Sequence, residues 1–216
     1  GDRASIFQME ISMSETKIVR VSELSVRALS WVAGKAMGMV TREAVTATDA
    51  DVEKMEVPFT LYDVEVASNE SDDEISAVDV VEFTVVRYGI NHEVGATGPS
   101  ITAHRADRRR FLSSVDSYFL TKEEAEHDAK SIILGRAEDF FPDAEMKDWK
   151  RLVAIKNITP CHYPKLRSWG ASWLDDPDSS GCARCSVVES TLPIAYMRCL
   201  ALAKFGETVE VPVELV

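Results

Sequence analysis

The stretch Ser190–Pro212 constrains the fold more than any other, because it predicts a helix with both ends marked and apolar residues around most of its circumference. Ser190 or Thr191 offers a hydroxyl to the free N–H groups of the first turn. Pro193 fits there because the N–H it lacks would have had no partner. Lys204 sits near the negative end of the helix dipole, Gly206 supplies a left-handed stop, and Pro212 closes a short strand-like tail over Thr208–Val211. Ile194, Met197, Ala201 and Phe205 share one face, while Leu192, Tyr196, Leu200 and Ala203 cover much of the rest. A helix of this kind must be wrapped by other elements.

Nearer the start, Lys17–Val21 alternates as a strand, and Ser22 is the expected N-cap of a helix whose apolar face is Leu24, Ala28, Leu29, Val32, Ala36 and Met37. Trp31 lies on its flank and Gly38 ends it. This helix is expected to pack on the C-terminal one. Met39–Met55, acidic and rich in small residues, reads as a connector.

The middle of the chain has a different pattern. Phe59–Val66 alternates, and Thr60, Tyr62, Val64 and Val66 make its expected core face, since Asp63 and Glu65 fall on the other. The polar loop Ser68–Glu74 joins it to a second β-rich run, Ala77–Tyr88, which suggests a hairpin. Gly89–Arg110 reads as a long loop with a short strand near Ile101, and Phe111–Leu120 as a third strand. Thr121-Lys-Glu-Glu124 is a capping-box pattern opening a helix to about Ala137, with Ala125, Ala129, Ile132 and Ile133 inward and Pro142 preventing its continuation. Trp149–Ile158 reads as the last strand. The expected fold class is α+β, with an antiparallel sheet of about four strands and a packed helix, plus N- and C-terminal helices packing together. Residues 15–55 and 160–216 are expected to form one unit and 56–159 an inserted segment, with 1–14 a tag or disordered end.

Two segments carry a family resemblance. Thr-Leu-Pro-Ile-Ala-Tyr-Met-Arg-Cys at Thr191–Cys199, followed by Ala-Lys-Phe-Gly-Glu-Thr-Val-Glu-Val-Pro at Ala203–Pro212, resembles the C-terminal signature of the NinX-like phage proteins. Val19–Gly38 resembles that family's N-terminal helix. The resemblance implies a bacteriophage or prophage accessory protein working in a bacterial cytoplasm. It assigns no biochemical activity. Family members are usually shorter, so the long segment between the signatures is a place where this chain's own function can reside.

Composition sets limits on partners. With 36 acidic and 24 basic side chains the net charge is −12, which argues against duplex-DNA binding, where cations must displace phosphate counterions. No apolar run approaches the roughly 18 residues of a membrane span. Gly1–Ser14 lacks the pattern of a secretory signal, since Asp2, Arg3, Gln8 and Glu10 interrupt its apolar residues. The expectation is a cytoplasmic, acidic, globular protein.

Four groups of residues are candidates for chemistry or recognition. Cys182 and Cys185 have the two-residue spacing that aims two thiolates at one metal, and Cys161 with His162 would complete a zinc site; the alternatives are a redox pair or ordinary reduced thiols. Arg105, Arg108, Arg109 and Arg110, beside His104, stand out against the acidic background and suit a phosphorylated small ligand or an acidic protein surface. Glu70, Asp72, Asp73 and Glu74 form an acidic loop that is itself a candidate surface for binding a protein partner; the alternative for the arginines is a solvated loop or pairing with these acids. Trp169 and Trp173 could form a stacking platform or a protein hot spot, or fill the core.

Catalytic signatures are missing. Apart from His162 in the candidate zinc set, the histidines His92, His104 and His127 have no recognisable nucleophile or metal arrangement around them, and Gly95–Ser100 lacks the Gly-Lys-Ser/Thr ending of a phosphate loop. The expected function is therefore a non-enzymatic protein that binds a host or phage protein, with a phosphorylated-ligand binder and a zinc-containing nucleic-acid factor as alternatives. No cofactor is expected unless zinc is bound.

Overall fold

A computed structural model describes residues 15–68, 75–91, 98–105, 108–112, 114–141, 146–176 and 183–216. In chain order its elements are β1 (Thr16–Arg20), α1 (Val26–Ala36), α2 (Asp49–Val52), β2 (Phe59–Ser68), β3 (Ile75–Asn91), β4 (Gly98–Arg105), β5 (Arg108–Leu112), α3 (Lys122–Leu134), α4 (Met146–Val153), β6 (Ile158–Tyr163), β7 (Ser168–Trp173), β8 (Cys185–Glu189), α5 (Leu192–Phe205) and β9 (Thr208–Pro212). The fold is mixed α+β, and all its sheets are antiparallel.

The chain divides into a discontinuous unit, Gly1–Met37 with Ala137–Val216, and a continuous unit, Gly38–Arg136. The inserted unit therefore starts and ends earlier than 56–159. Ala47 and Val52, read as part of a connector, are buried in its core. Leu152 and Ile158, read as part of the insertion, are buried in the other unit.

In the terminal unit, β1 and β9 pair along their length, with Thr16 opposite Pro212 and Arg20 opposite Thr208. The chain then makes a 3₁₀ turn at Val21–Glu23, which moves the helix cap from the expected Ser22 to Ser25, whose Oγ accepts from the Ala28 N–H at 3.2 Å. α5 packs against α1, β7 and β8, and buries Ala195, Tyr196, Met197, Cys199, Leu200, Ala201 and Ala203. The Ser30 hydroxyl of α1 donates to Met197 Sδ at 3.6 Å across that contact. Burying Met197 and Leu200 contributes about 2 kcal/mol each. Thr191 holds the N-cap position without a side-chain cap bond, and Gly206 ends the helix at φ +82° and ψ −158°, a positive-φ conformation suited to glycine but extended rather than αL, its N–H donating to the Leu202 carbonyl. Trp149–Ile158 is not a strand. Trp149, Leu152 and Val153 are spaced for one helix face, and in α4 Leu152 is buried while Trp149 meets Tyr196 edge-on at 5.4 Å.

In the inserted unit the strand order is β2-β3-β4-β5. The core joins Phe59, Leu61, Val81, Phe83, Val85, Ile101 and Ala103 to Val115 and Tyr118. The core face of β2 is thus Phe59 and Leu61, opposite to expectation, and Val66 is 45% exposed. The physical reason is that the β2–β3 hairpin outruns the core: Asp63 and Glu65 lie on the same face as Leu61 but farther along the strand, where polar side chains are tolerated. The expected loop at Gly89–Arg110 contains β4 and the start of β5. Gly98 and Pro99 open β4 rather than interrupt it, a position where proline's missing N–H is tolerated. The expected third strand over Phe111–Leu120 is replaced by the end of β5 and a turn. In that turn the Tyr118 N–H donates to the Val115 carbonyl at 2.8 Å, and only Phe119 bridges to Tyr62. α3 packs against β2 and β3, burying Ala125 and Ala129, whereas Ile133 is 58% exposed.

Candidate functional site

β5 is the last strand of its sheet, so one side of its backbone has no neighbouring strand among the described residues. Its register with β4 sets Arg108 opposite Arg105, Arg109 opposite His104 and Arg110 opposite Ala103. Alternation then places positions 105, 108 and 110 on the face of Ala103, and positions 104 and 109 on the other. Ile101 and Ala103 of that first face are buried, and His104 pairs with Thr84 of β3, next to the buried Phe83. His104 is exposed. The four arginine positions are therefore gathered at one end of the β4–β5 pair, in a chain of net charge −12. The expected acidic counterpart, Glu70, Asp72, Asp73 and Glu74, lies outside the described residues.

The tryptophans do not form a single platform. Trp169 and Trp173 are in β7, four positions apart and about 13 Å along the strand. Each is half-buried with its own partner. Trp169 stacks on His162, its register partner in β6, with ring centroids 4.3 Å apart. Trp173 lies under the Lys204 ammonium of α5, 5.6 Å from the ring centre. Trp169 therefore joins two strands of the sheet, and Trp173 joins the sheet to α5.

The sulfur and imidazole ligands proposed for zinc are dispersed. Cys161 and Cys185 have Gly170 and Trp173 as register partners, three positions apart in β7, so they fall on opposite faces of the sheet. Cys161 is exposed beside Tyr163, and a hydrogen bond with that thiol raises the Tyr163 hydroxyl above its ordinary pKa. Cys185 instead faces α5, where its Sγ lies 3.7 Å from that of Cys199. Cys182 lies outside the described residues. Among the described residues no group of three His, Cys, Asp or Glu side chains is disposed to hold a metal ion. The pairing of Cys185 with Cys199 had no signal in the sequence, where Cys199 reads as one more apolar position of a helix.

The terminal unit also has an open cavity of about 500 Å³, with Arg20, Val187, Glu189, Arg198, Leu202 and Glu207 in its lining. Arg198 and Glu189 pair at 2.6 Å with less than a fifth of each side chain exposed. The second Arg198 nitrogen reaches the Leu24 carbonyl at 3.4 Å, while its Nε is buried with no partner among the described residues. This guanidinium is committed to the protein itself, and the cavity's basic and acidic groups balance.

Set beside known protein families, curated proteins and solved structures, the chain matches none of them. Function has to be argued from the chain's own geometry.

Proposed function

We propose that this chain is a non-enzymatic binding protein that takes an extended acidic segment of a partner protein along the β5 edge of the inserted unit. The carrying observation is the register that sets Arg108, Arg109 and Arg110 on the terminal strand β5, with Arg105 opposite Arg108 at the end of β4. An edge strand offers a row of backbone N–H and C=O groups, and an incoming strand that pairs with them brings its side chains opposite the arginines. Arginine forks bind carboxylates in pairs, so an acidic segment is selected over a neutral one. The acidic remainder of the chain does not prevent this, because charges more than a Debye length away, about 10 Å at 0.1 M salt, are largely screened. The resemblance of both termini to NinX-like phage proteins supports a partner of phage or host origin in a bacterial cytoplasm. Among the described residues no helix is long and apolar enough to cross a membrane.

The test is binding of a fluorescent, unstructured Glu/Asp-rich peptide, measured by anisotropy across a salt series. Reversing Arg108, Arg109 and Arg110 to Glu is expected to weaken binding at least 30-fold, since losing three exposed charge pairs at about 0.7 kcal/mol each removes about 2 kcal/mol. Equal binding by the variant, with its circular dichroism unchanged, refutes the assignment. Displacement of the peptide by millimolar inorganic pyrophosphate, joined to direct pyrophosphate binding of higher affinity, moves the assignment to a phosphorylated small ligand at the same arginines.

A further inference from the structure

We propose that Cys185 and Cys199 close a reversible disulfide, so that the β8–α5 contact of the terminal unit is a redox modification site. The two sulfur atoms stand 3.7 Å apart, and Cys185 Sγ is also 3.5 Å from the Cys199 carbonyl oxygen. Only a small approach of the two thiols separates contact from a bond of about 2 Å. Their exposure differs in the way a two-step exchange needs. Cys185 is partly exposed and is the sulfur an oxidant reaches; Cys199 is buried and can meet only its neighbour. The helix and strand that carry them are fixed by packing, with Leu200 and Ala201 beside Cys199 fully buried, so the thiols are held together rather than passing by chance.

With a small-molecule disulfide such as oxidised glutathione as oxidant, the Cys185 thiolate attacks one of its sulfurs, and one glutathione leaves as thiolate. Cys199 then loses its proton to solvent and attacks the Cys185 sulfur, expelling the second glutathione. Two protein thiols are oxidised by two electrons, and one glutathione disulfide is reduced to two thiols. Burial raises the Cys199 thiol well above the ordinary cysteine range, so the second step is the slow one and the mixed disulfide on Cys185 precedes the closed bond. The bond would join the two walls of the cavity described above, Val187 to Glu189 on one side and Arg198 with Leu202 on the other.

The sequence allows a direct assay on the unmodified full chain. Tryptic cuts after Arg184, Arg198 and Lys204 leave Cys182, Cys185 and Cys199 on three separate peptides. The protein is equilibrated with defined ratios of reduced to oxidised glutathione, blocked with iodoacetamide, digested and mapped by mass. The expected product is 185–198 joined to 199–204, two hydrogens lighter than the reduced pair and released by dithiothreitol. The thermal midpoint is expected to rise by about 5 °C on closure. Replacing Cys199 with Ala should leave Cys185 as a lasting glutathione adduct. A dominant bond between Cys182 and Cys185, or blocked thiols at both 185 and 199 across the whole series, overturns the inference; wild-type mapping decides this even if the variant fails to fold.

Discussion

Glu124 accepts the Arg42 guanidinium on both carboxylate oxygens, at 2.6 and 2.9 Å, and takes the Val45 N–H at 2.8 Å as well. The residue sits at the third position of α3, where the Thr121 hydroxyl accepts from its N–H at 3.3 Å. In a capping box its carboxylate would reach back to the cap, but here it ties the helix start to the segment before α2. These hydrogen bonds, with Arg42 the largest influence, hold the Glu124 carboxyl at about 2 instead of 4.5.

A group whose pKa falls on folding contributes stability that is complete above its unfolded value and disappears as pH drops through its folded value. For Glu124 the window runs from 4.5 down to about 2. Arg42 is 53% exposed, so solvent screening limits the pair to about 1 kcal/mol. Comparing thermal midpoints of the wild type and Glu124→Gln from pH 7 to pH 2 checks this: the gap should hold steady above about pH 5 and close below it. A gap independent of pH contradicts the assignment.

Two glycines of the terminal unit separate backbone from side-chain crowding. A Cβ on Gly34 would stand 2.9 Å from the Ala137 Cα and 3.0 Å from its carbonyl oxygen, both backbone atoms. Gly34→Ala gains about 1 kcal/mol of helix propensity and should still lose about 2 kcal/mol net, because α1 must move off Ala137. At Gly170 the Cβ would meet the Tyr163 ring at 2.9 Å, a side-chain contact on a residue that is 39% exposed and can turn outward at the cost of its hydrogen bond with the Cys161 thiol. Gly170→Ala should change stability by less than about 0.5 kcal/mol. Urea unfolding of both variants is the measurement, and equal losses would contradict the distinction.

The inverted core face of β2 has its own check. Leu61 is fully buried and Val66 is 45% exposed. Leu61→Ala is expected to destabilise the inserted unit by about 3 kcal/mol and Val66→Ala by less than about 0.5. The reverse order would restore the face that alternation alone suggests.

What could be read from residues alone was what local chemistry decides. The C-terminal helix, its stop at Gly206, the strand after it and the β2–β3 hairpin are visible because caps, glycines and alternation act over a few positions. The helix at Trp149–Val153 was legible in principle, since its apolar residues recur at three and four rather than two. The pairing of β4 with β5 was not, because Gly98 and Pro99 signal a break just where the strand begins. Nor was the choice of core face on β2, which depends on where the core stops along a hairpin longer than the layer it covers. The candidate site shows the same division: four arginines could be counted, but the place of three of them on an edge strand, with Arg105 opposite, comes from strand pairing. Likewise Cys185 and Cys199, fourteen positions apart on the consecutive elements β8 and α5, do not suggest one another in the sequence.

Hydrogen exchange at the amides of β5 tests the central claim most directly, because strand addition protects backbone groups that side-chain attraction alone leaves open to water. With a saturating Glu/Asp-rich peptide, exchange over Arg108–Leu112 is expected to slow at least tenfold while the β1–β9 pair is unchanged. Unaltered exchange in β5 at full occupancy would show that the peptide binds elsewhere or by charge alone, and would contradict the β5 edge as a strand-accepting surface.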